Sequence, residues 1–324
     1  MSETEKIVLV TVERCRPSVK ELEPLLTDGG YTVRYSATPS AYTPDELAEA
    51  WGMIVGAEPY PPEAVAQCVN ARVMSRTGTG FDNIDVETAT RMNCAVCFAP
   101  AMNHHAVADY TLGLILDLAR GIHIFSREMS RGLWEPKILQ GVSGAVLGIL
   151  GLGRIGKQVA LRAQVFNIEV IAYDIAPDHN FGEAQGIRFV EFDELLASSD
   201  IITIHTDLNP QSEGMIDASA FARMKDGVFL INTGRGRVID DDALVAALES
   251  GKAAGAGLDV FAEEPPVNSP LLKCDNVLAS PHIAGNDARA IHALSKCAVD
   301  NLLAIGRGEW PEGCVNREAL QLRR

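Results

Sequence analysis

A glycine-rich turn near the middle of the chain constrains the fold more than any other feature. An apolar run over residues 145–150 leads directly into Gly151, Gly153 and Gly156, and residues 157–165 then have helical spacing. A second apolar run ends on Asp174, eighteen residues after the last glycine. This order predicts a strand, a tight turn, a helix and a second strand, which together form the βαβ unit of a parallel sheet.

The spacing of the glycines gives that unit a binding function. In the G-x-G-x-x-G pattern, Gly151 permits the tight turn, Gly153 lets the backbone approach a pyrophosphate, and Gly156 lets the helix pack closely on the sheet. The helix N-terminus then offers free N–H groups to the phosphates. Asp174 ends the second strand, where a carboxylate accepts hydrogen bonds from ribose hydroxyls and repels a 2′-phosphate. The unit therefore predicts NAD rather than NADP as the ligand. The alternative is that these glycines form an ordinary turn between a strand and a helix without a ligand.

The rest of the chain predicts an α/β protein of two domains, since 324 residues exceed what a single hydrophobic core usually covers. Five short apolar runs precede residue 100 and seven follow residue 145. We expect the later series to form a Rossmann-type doubly wound parallel sheet and the earlier one a smaller flavodoxin-like α/β domain. A last helix over 288–305 has no strand of its own and is expected to return to the first domain. The predicted substrate domain is thus 1–100 plus 286–324, and the NAD-binding domain is 101–285.

Composition excludes several classes of partner. The net charge of −15 argues against binding to nucleic acid or to an anionic membrane. No apolar run approaches the roughly 20 residues that span a bilayer, and the acidic N-terminus does not resemble a targeting peptide. Seven cysteines lack the spacing of a disulfide framework or a metal site, so we expect reduced thiols, no metal and a cytoplasmic protein.

Three chemically useful side chains follow three successive strands of the second series. Arg235 comes after the strand ending at Asn232, a Glu263–Glu264 pair after the next strand, and His282 after the last. Because ligands of parallel sheets bind beyond the carboxyl ends of the strands, these side chains are expected at the same edge as the glycine turn.

That trio fits hydride chemistry on a 2-hydroxy or 2-oxo acid. The pKa of a histidine suits an acid and base at the C2 oxygen, so His282 is the candidate for that role. A glutamate can fix its tautomer, and spacing alone does not choose between Glu263 and Glu264. The planar charge of Arg235 suits a carboxylate. His205, at the end of another strand, is expected near the cofactor, and Arg237 is expected to be solvated or ion-paired.

Five sequence motifs resemble those of the D-isomer-specific 2-hydroxyacid dehydrogenases, in particular the phosphoglycerate dehydrogenase branch. They are GLGRIG at 151–156, INTGRG at 231–236, LDVFAEEPP at 258–266, SPHIAG at 280–285 and RTGTGFDNID at 76–85. The resemblance implies an NAD-dependent enzyme that interconverts a D-2-hydroxy acid and its 2-oxo acid, and it implies a homodimer in which the helix at 103–120 contacts the partner.

The same resemblance assigns roles to individual residues. It implies that Arg235, Glu264 and His282 are catalytic, which chooses Glu264 over its neighbour. It implies a substrate-binding group comprising Arg76, Gly78, Thr79, Gly80, Asn103 and Arg235. It implies that Asp259 holds the nicotinamide carboxamide. The cofactor contacts that it implies come from Thr79, Arg154, Ile155, Asp174, Thr206, Thr233, Gly234, Arg235, Asp259 and residues 282–285, the last of which is Gly285.

One departure from the family concerns the substrate. The phosphoglycerate enzymes have a phosphate-binding arginine just after the third strand, and this chain has Gly56 there, followed by Ala57 and Glu58. An acid near this place argues against a phosphorylated substrate. The alternative functions are an NAD(H)-sensing protein of the corepressor type and a dehydrogenase of an inorganic oxyanion such as phosphite.

Overall fold

The computed structural model describes residues 5–38 and 40–320 and divides the chain into two compact units. Unit 1 comprises Met1–Asn103 and Asn286–Arg324, and unit 2 comprises His104–Gly285. The first break lies three residues later than the sequence analysis placed it, and the second lies at the same position. Each unit is a parallel sheet with helices packed on it.

Unit 1 contains a five-stranded parallel sheet in the order β2-β1-β3-β4-β5, which is the flavodoxin-like strand order. Its strands are β1 Lys6–Val10, β2 Tyr31–Tyr35, β3 Ala50–Val55, β4 Val73–Arg76 and β5 Ala95–Cys97. Its helices are α1 Arg16–Asp28, α2 Pro44–Glu49, α3 Pro62–Val65, α4 Val86–Arg91 and, after the second crossing, α12 Ala288–Gly306.

The C-terminal helix α12 completes the core of unit 1, as the sequence predicted. Its apolar residues Ala298, Val299 and Leu302 are buried in one cluster with Val8 of β1 and Ile54 of β3. Burial of such side chains contributes about 1.5–3 kcal/mol for each valine or leucine. The last helix of the chain is therefore part of the unit that its first residues begin.

Unit 2 contains a seven-stranded parallel sheet in the order β12-β11-β10-β9-β6-β7-β8, a Rossmann-type order extended by one strand. Its strands are β6 Val146–Leu150, β7 Glu169–Tyr173, β8 Arg188–Phe189, β9 Ile201–Ile204, β10 Val228–Asn232, β11 Ala253–Leu258 and β12 Val277–Ala279. Its helices are α5 His104–Arg120, α6 Ile122–Ser130, α7 Arg154–Val165, α8 His179–Gln185, α9 Phe192–Ser198, α10 Ala218–Arg223 and α11 Asp241–Ser250.

The register of unit 2 aligns the ends of its central strands. Leu150 of β6 lies beside Ile204, which lies beside Asn232 of β10. Asn232 in turn pairs with Leu258 of β11, and Leu258 with the end of β12. The loops that follow these strands therefore start side by side at one edge of the sheet.

The long helix α5 is covered by its own unit. Leu112, Leu114 and Ile115 are buried in a core cluster that includes Leu147 of the sheet. The shorter helix α6, which the sequence analysis did not identify, follows directly and leaves Ile122 and Met129 exposed. No helix in the described ranges is both long and apolar enough to serve as a membrane span.

Candidate active site at the carboxyl edge of unit 2

The three glycines of the turn after β6 have the distinct conformations that their spacing predicts. Gly151 has a φ of +90°, a left-handed backbone that disfavours any side chain. A methyl group at Gly156 would lie 2.3 Å from the carbonyl oxygen of Gly151, so only hydrogen fits between α7 and the turn. A methyl group at Gly153 would meet no atom within 4 Å. Gly153 therefore leaves open space at the N-terminus of α7.

Asp174 holds this turn in addition to following β7. Its Oδ2 accepts the N–H of Leu152 at 2.8 Å, and its Oδ1 accepts the N–H of Ala176 at 2.9 Å. Each carboxylate oxygen keeps a further lone pair that can accept a hydroxyl. The carboxylate is therefore fixed beside the glycine turn, and its contact with a ribose stays a prediction.

Two further observations fit a bound dinucleotide. Gly153 is the N-cap of α7, and no side chain caps this helix, so its first N–H groups remain available to phosphates. The Oγ1 atom of Thr206, after β9, is buried and has no hydrogen-bond partner in the described chain. A buried hydroxyl usually has a partner, which suggests that a ligand supplies it.

His205 lies between two threonines at the same edge. Its Nε2 is 3.0 Å from Thr203 Oγ1, and its Nδ1 is 3.5 Å from Thr233 Oγ1. Burial lowers the pKa of His205 to about 3, so the ring is neutral at physiological pH. Thr233 Oγ1 also contacts Thr111 Oγ1 of α5 at 3.0 Å. His205 therefore acts as a neutral hydrogen-bonding group that orders the loop ends.

The loop that carries Arg235 is held by Asn232, a residue that the sequence analysis did not single out. The buried Asn232 side chain accepts the N–H of Gly234 at 3.0 Å and donates to the carbonyl oxygen of Arg235 at 2.9 Å. A methyl group at Gly236 would lie 1.9 Å from the carbonyl carbon of Phe261. Asn232 and Gly236 together position Arg235 beside the loop after β11. As predicted, Arg237 is ion-paired, and its partner is Glu213.

Glu264 and His282 form a direct pair. Glu264 Oε2 lies 2.8 Å from His282 Nδ1, and Glu264 Oε1 accepts the N–H of Phe261 at 3.1 Å. Burial raises the pKa of Glu264, but the hydrogen bond and charge of His282, with the Phe261 N–H and the charge of Arg235, outweigh it and hold the pKa below its usual value. Glu264 is therefore ionised, and Nε2 of His282 remains available to exchange a proton.

The loop carrying His282 is organised by Asp259. The Asp259 carboxylate, only 1% exposed, accepts Ser280 Oγ at 2.6 Å, the N–H of Ile283 at 2.8 Å and the N–H of Ala284 at 2.8 Å. His282 itself has a φ of +52°, a conformation uncommon for a residue with a side chain. The three hydrogen bonds maintain this turn. This positioning role of Asp259 was absent from the sequence analysis, and its predicted carboxamide contact stays a prediction.

The predicted substrate residues of unit 1 lie in the loop after β4. Arg76 is buried, lies over Gly78, and donates from Nε to Asn83 Oδ1 at 3.2 Å. Asn83 also donates to the carbonyl oxygens of residues 56 and 58, so it ties this loop to the one after β3. Thr79 and Gly80 are half-buried. The guanidinium of Arg76 therefore orders its own loop, and its predicted contact with substrate stays a prediction.

Space at Gly56 is filled by Glu58. The buried Glu58 carboxylate accepts the N–H of Gly56 at 2.9 Å and the hydroxyl of Tyr60 at 3.2 Å, and it also bonds Thr11. A methyl group at Gly56 would lie 2.5 Å from Glu58 Oε2 and 2.9 Å from Cγ2 of Val12. The loop just after β3 therefore contains a buried carboxylate at the place where the resemblance implies a phosphate-binding arginine.

The remaining predicted residues lie at the breaks between the units. Asn103 ends the first part of unit 1, and its buried Oδ1 has no hydrogen-bond partner in the described chain. Gly285 ends unit 2. Over residues 5–38 and 40–320, no group of three or more histidine, cysteine or acidic side chains is arranged to hold a metal ion.

Comparison with known proteins identifies the family to which the chain belongs. Residues 112–284 match the family model described as D-isomer specific 2-hydroxyacid dehydrogenase, NAD binding domain. The chain is 36% identical over 262 residues to D-3-phosphoglycerate dehydrogenase of Archaeoglobus fulgidus, covering 80% of this chain and 50% of that protein. It is 38% identical over 269 residues to glyoxylate reductase of Thermofilum pendens, covering 81% and 79%.

A solved structure with the same fold is D-lactate dehydrogenase of Aquifex aeolicus, complexed with NAD and lactic acid. Its TM-score is 0.85 at 27% identity, covering 94% of this chain and 96% of that one. The chain spans about half the length of the D-3-phosphoglycerate dehydrogenases that it matches.

Proposed function

Because the chain belongs to the D-isomer-specific 2-hydroxyacid dehydrogenases, we propose that it interconverts a D-2-hydroxy acid and its 2-oxo acid with NAD. The observation that carries the proposal is the 2.8 Å contact between His282 Nδ1 and Glu264 Oε2 beside Arg235. A hydride transfer at C2 needs a proton exchanged at the C2 oxygen and a cation for the carboxylate, and these three side chains supply both.

Unit 2 binds the cofactor in this proposal. The open face of Gly153 and the N–H groups of Arg154 and Ile155 receive the pyrophosphate, and Asp174 receives the adenosine ribose. Thr206 supplies a hydroxyl that has no other partner. When bound, the nicotinamide accepts or donates the hydride.

His282 moves the proton at the substrate oxygen. In reduction, protonated His282 donates from Nε2 to the carbonyl oxygen of the 2-oxo acid; in oxidation, the neutral ring removes the hydroxyl proton. Glu264 fixes the tautomer by accepting Nδ1–H and stabilises the imidazolium by its negative charge. Arg235 binds the carboxylate and polarises the C2 carbonyl. The family resemblance implies that the substrate carboxylate also binds the backbone N–H groups of the loop at residues 76–80, and that Asn103 binds substrate.

The substrate class follows from the loop after β3. Glu58 is buried near Gly56 and presents a carboxylate rather than a cation. A phosphate group there would meet the negative charge of the buried Glu58 carboxylate. The proposed substrates are therefore small unphosphorylated 2-oxo acids and their D-2-hydroxy counterparts.

A homodimer in the cytoplasm is part of the proposal. The core of unit 2 buries Leu112, Leu114 and Ile115 of α5. The surface proposed for the partner therefore lies on α6 and the segment after it, where the exposed apolar residues are Ile122, Met129, Trp134 and Ile138. Adjacent exposed apolar side chains favour burial against another protein surface. The net charge of −15 disfavours nucleic acid and anionic membranes as partners.

A substrate panel tests the activity. Oxidation of NADH is followed with glyoxylate, pyruvate, hydroxypyruvate and phosphohydroxypyruvate, and we expect turnover with an unphosphorylated acid. His282→Ala is expected to lower kcat by about 10²–10⁴-fold while NADH binding, measured by fluorescence, is retained. The matched control His292→Ala replaces an exposed histidine of α12 and is expected to leave turnover unchanged.

The same panel, with a second assay of NAD reduction by phosphite, separates the alternatives. NADH binding without turnover of any acid would overturn the proposal and favour the sensing function, and NAD reduction by phosphite without turnover of any acid would favour the oxyanion dehydrogenase. The matched relatives are named as dehydrogenases and reductases, which favours turnover.

A further inference from the structure

Two cysteines of unit 1 lie directly opposite each other, far from the residues assigned to catalysis. Cys97 ends β5, and Cys314 lies in the segment after α12. The two residues are paired by an isolated antiparallel bridge. Gly313 permits this close approach, since a methyl group there would lie 2.2 Å from the carbonyl oxygen of Phe98.

The hydrogen bonds on either side define the register of the pair. The N–H of Phe98 donates to the carbonyl oxygen of Gly313 at 3.0 Å, and the N–H of Val315 donates to that of Val96 at 2.9 Å. Cys97 and Cys314 are thus a non-hydrogen-bonded antiparallel pair, in which the Cα atoms lie about 4.5 Å apart and the side chains are closest. This separation falls within the range of about 4.4–6.8 Å that a disulfide requires.

The surrounding contacts hold both strands in place. Asn316 Oδ1 accepts the N–H of Val96 at 3.0 Å, and its Nδ2 donates to the carbonyl oxygen of Cys94 at 3.0 Å and to Thr90 Oγ1 at 2.9 Å. The C-terminal segment is therefore fixed against β5 before any bond forms between the sulfurs.

The two thiols differ in character. The hydrogen bond with Cys314 and burial raise the pKa of the Cys97 thiol far above its usual value. The same hydrogen bond lowers the pKa of Cys314. Cys314 is 7% exposed and Cys97 has no exposure, so a small oxidant reaches Cys314 first. One thiol of the pair is thus suited to attack and the other to resolve.

We propose that Cys97 and Cys314 form a dithiol modification site, which hydrogen peroxide converts to a disulfide that joins β5 to the C-terminal segment. This proposal is independent of the dehydrogenase activity.

The chemistry balances in two steps. The Cys314 thiolate attacks one oxygen of hydrogen peroxide, which breaks the O–O bond and gives a sulfenic acid and hydroxide. The Cys97 sulfur then attacks the Cys314 sulfur, forming the S–S bond and expelling the sulfenic oxygen, which takes up the Cys97 proton and leaves as water. The thiols lose two electrons in total, and one peroxide is reduced to two waters.

Peptide mapping of the full-length protein tests the proposal. The protein is treated with graded hydrogen peroxide, the peroxide is removed with catalase, and remaining thiols are alkylated in denaturant before digestion. We expect a cross-linked peptide pair containing Cys97 and Cys314, an intact mass lower by two hydrogens, and full reversal by dithiothreitol. Cys314→Ser should abolish the cross-link, whereas the matched control Cys274→Ser, at a half-buried cysteine of unit 2, should retain it.

Two results would overturn the proposal. One is complete alkylation of Cys97 and Cys314 at peroxide concentrations that oxidise Cys274 or Cys297. The other is accumulation of sulfinic acid at Cys314 in the wild-type protein without cross-linking. The wild-type map needs no variant, so a Cys314→Ser protein that failed to fold would not obscure the answer. The unfolding midpoint Tm is a second measurement. A disulfide between Cys97 and Cys314 that forms without distorting the native structure raises the Tm, so a lower Tm after oxidation would refute the proposed pairing.

Discussion

The pairing of Glu264 with His282 gives a prediction for the pH dependence of the proposed reaction. Glu264→Gln keeps the size of the side chain and an oxygen near His282 Nδ1 but removes the negative charge. Without that charge the imidazolium form of His282 is less stable. Reduction of a 2-oxo acid uses protonated His282, so its rate is expected to decline as pH rises. We therefore expect the decline to move to lower pH in the variant.

The size of the shift follows from the geometry. At an effective dielectric constant of 20, two unit charges 4 Å apart interact by about 4 kcal/mol. The His282 and Glu264 side chains are 37% and 35% exposed, so water screens the pair. We take about 1–2 kcal/mol as the screened interaction, in line with hydrogen bonds to charged groups. Since about 1.4 kcal/mol is a tenfold change in an equilibrium, the decline in rate is expected to move by about one pH unit.

The assay is the initial rate of NADH oxidation at saturating 2-oxo acid across a pH series. The matched control is Glu263→Gln, which makes the same chemical change at the exposed neighbouring residue. We also expect the maximal rate of Glu264→Gln to fall by about 10²-fold, because the tautomer of His282 is no longer fixed by a charged acceptor. A pH profile of Glu264→Gln that coincides with that of Glu263→Gln would refute the proposed coupling.

Three further substitutions test other parts of unit 2. Asp174→Ala should lower the ratio of kcat/KM for NADH over NADPH by about tenfold, which equals about 1.4 kcal/mol of lost discrimination. Steady-state kinetics with both cofactors measures this ratio, and an unchanged ratio would contradict the ribose contact. Asn232→Ala leaves two buried loop groups unsatisfied and should lower the free energy of unfolding in urea by about 2–4 kcal/mol, against less than about 0.5 kcal/mol for the control Asn268→Ala at an exposed loop residue of the same unit. Burial lowers the pKa of His205 from 6.5 to about 3, so the unfolded state binds more protons between these values and stability falls as pH falls through that window, by up to about 1.4 kcal/mol per pH unit. His205→Gln should remove this dependence of the unfolding free energy on pH. If urea titrations between pH of about 7 and about 5 gave the same slope for the wild-type protein and the variant, the assigned pKa would be contradicted.

Much of the fold could be predicted because it depends on local patterns. The strands that begin at Val146 and Glu169 coincide with the apolar runs that predicted them, since a buried parallel strand must be apolar along its length. Their order could then be inferred from the βαβ rule, and the side chains that follow them share one edge for the same reason. The positions of Arg235, the Glu263–Glu264 pair and His282 followed from that shared edge, whereas the choice of Glu264 came from the family resemblance.

The residues that position this trio could not be predicted in the same way. Asn232 holds the Arg235 loop through two backbone groups, and Asp259 holds the His282 loop through three donors from residues 280–284. A buried asparagine or aspartate gives no sequence period, and its partners are known only when the loops are folded. The glycine at 236 was visible as part of a motif, but the carbonyl that forbids a side chain there belongs to another loop. Helix α6 follows α5 after a single left-handed glycine, a break too short for periodicity to reveal.

The packing of Glu58 against Gly56 couples these two positions, so a substitution at one changes the effect of a substitution at the other. An arginine introduced at Gly56 alone would place its first side-chain carbon 2.5 Å from Glu58 Oε2, so the Glu58 carboxylate would have to move away from the Gly56 N–H and the Tyr60 hydroxyl. Shortening Glu58 first would open the space and remove the acceptor that Thr11 and Tyr60 share, while Thr11 keeps its contact with the carbonyl oxygen of Ile54. We therefore expect that selection for a phosphorylated substrate changes both positions.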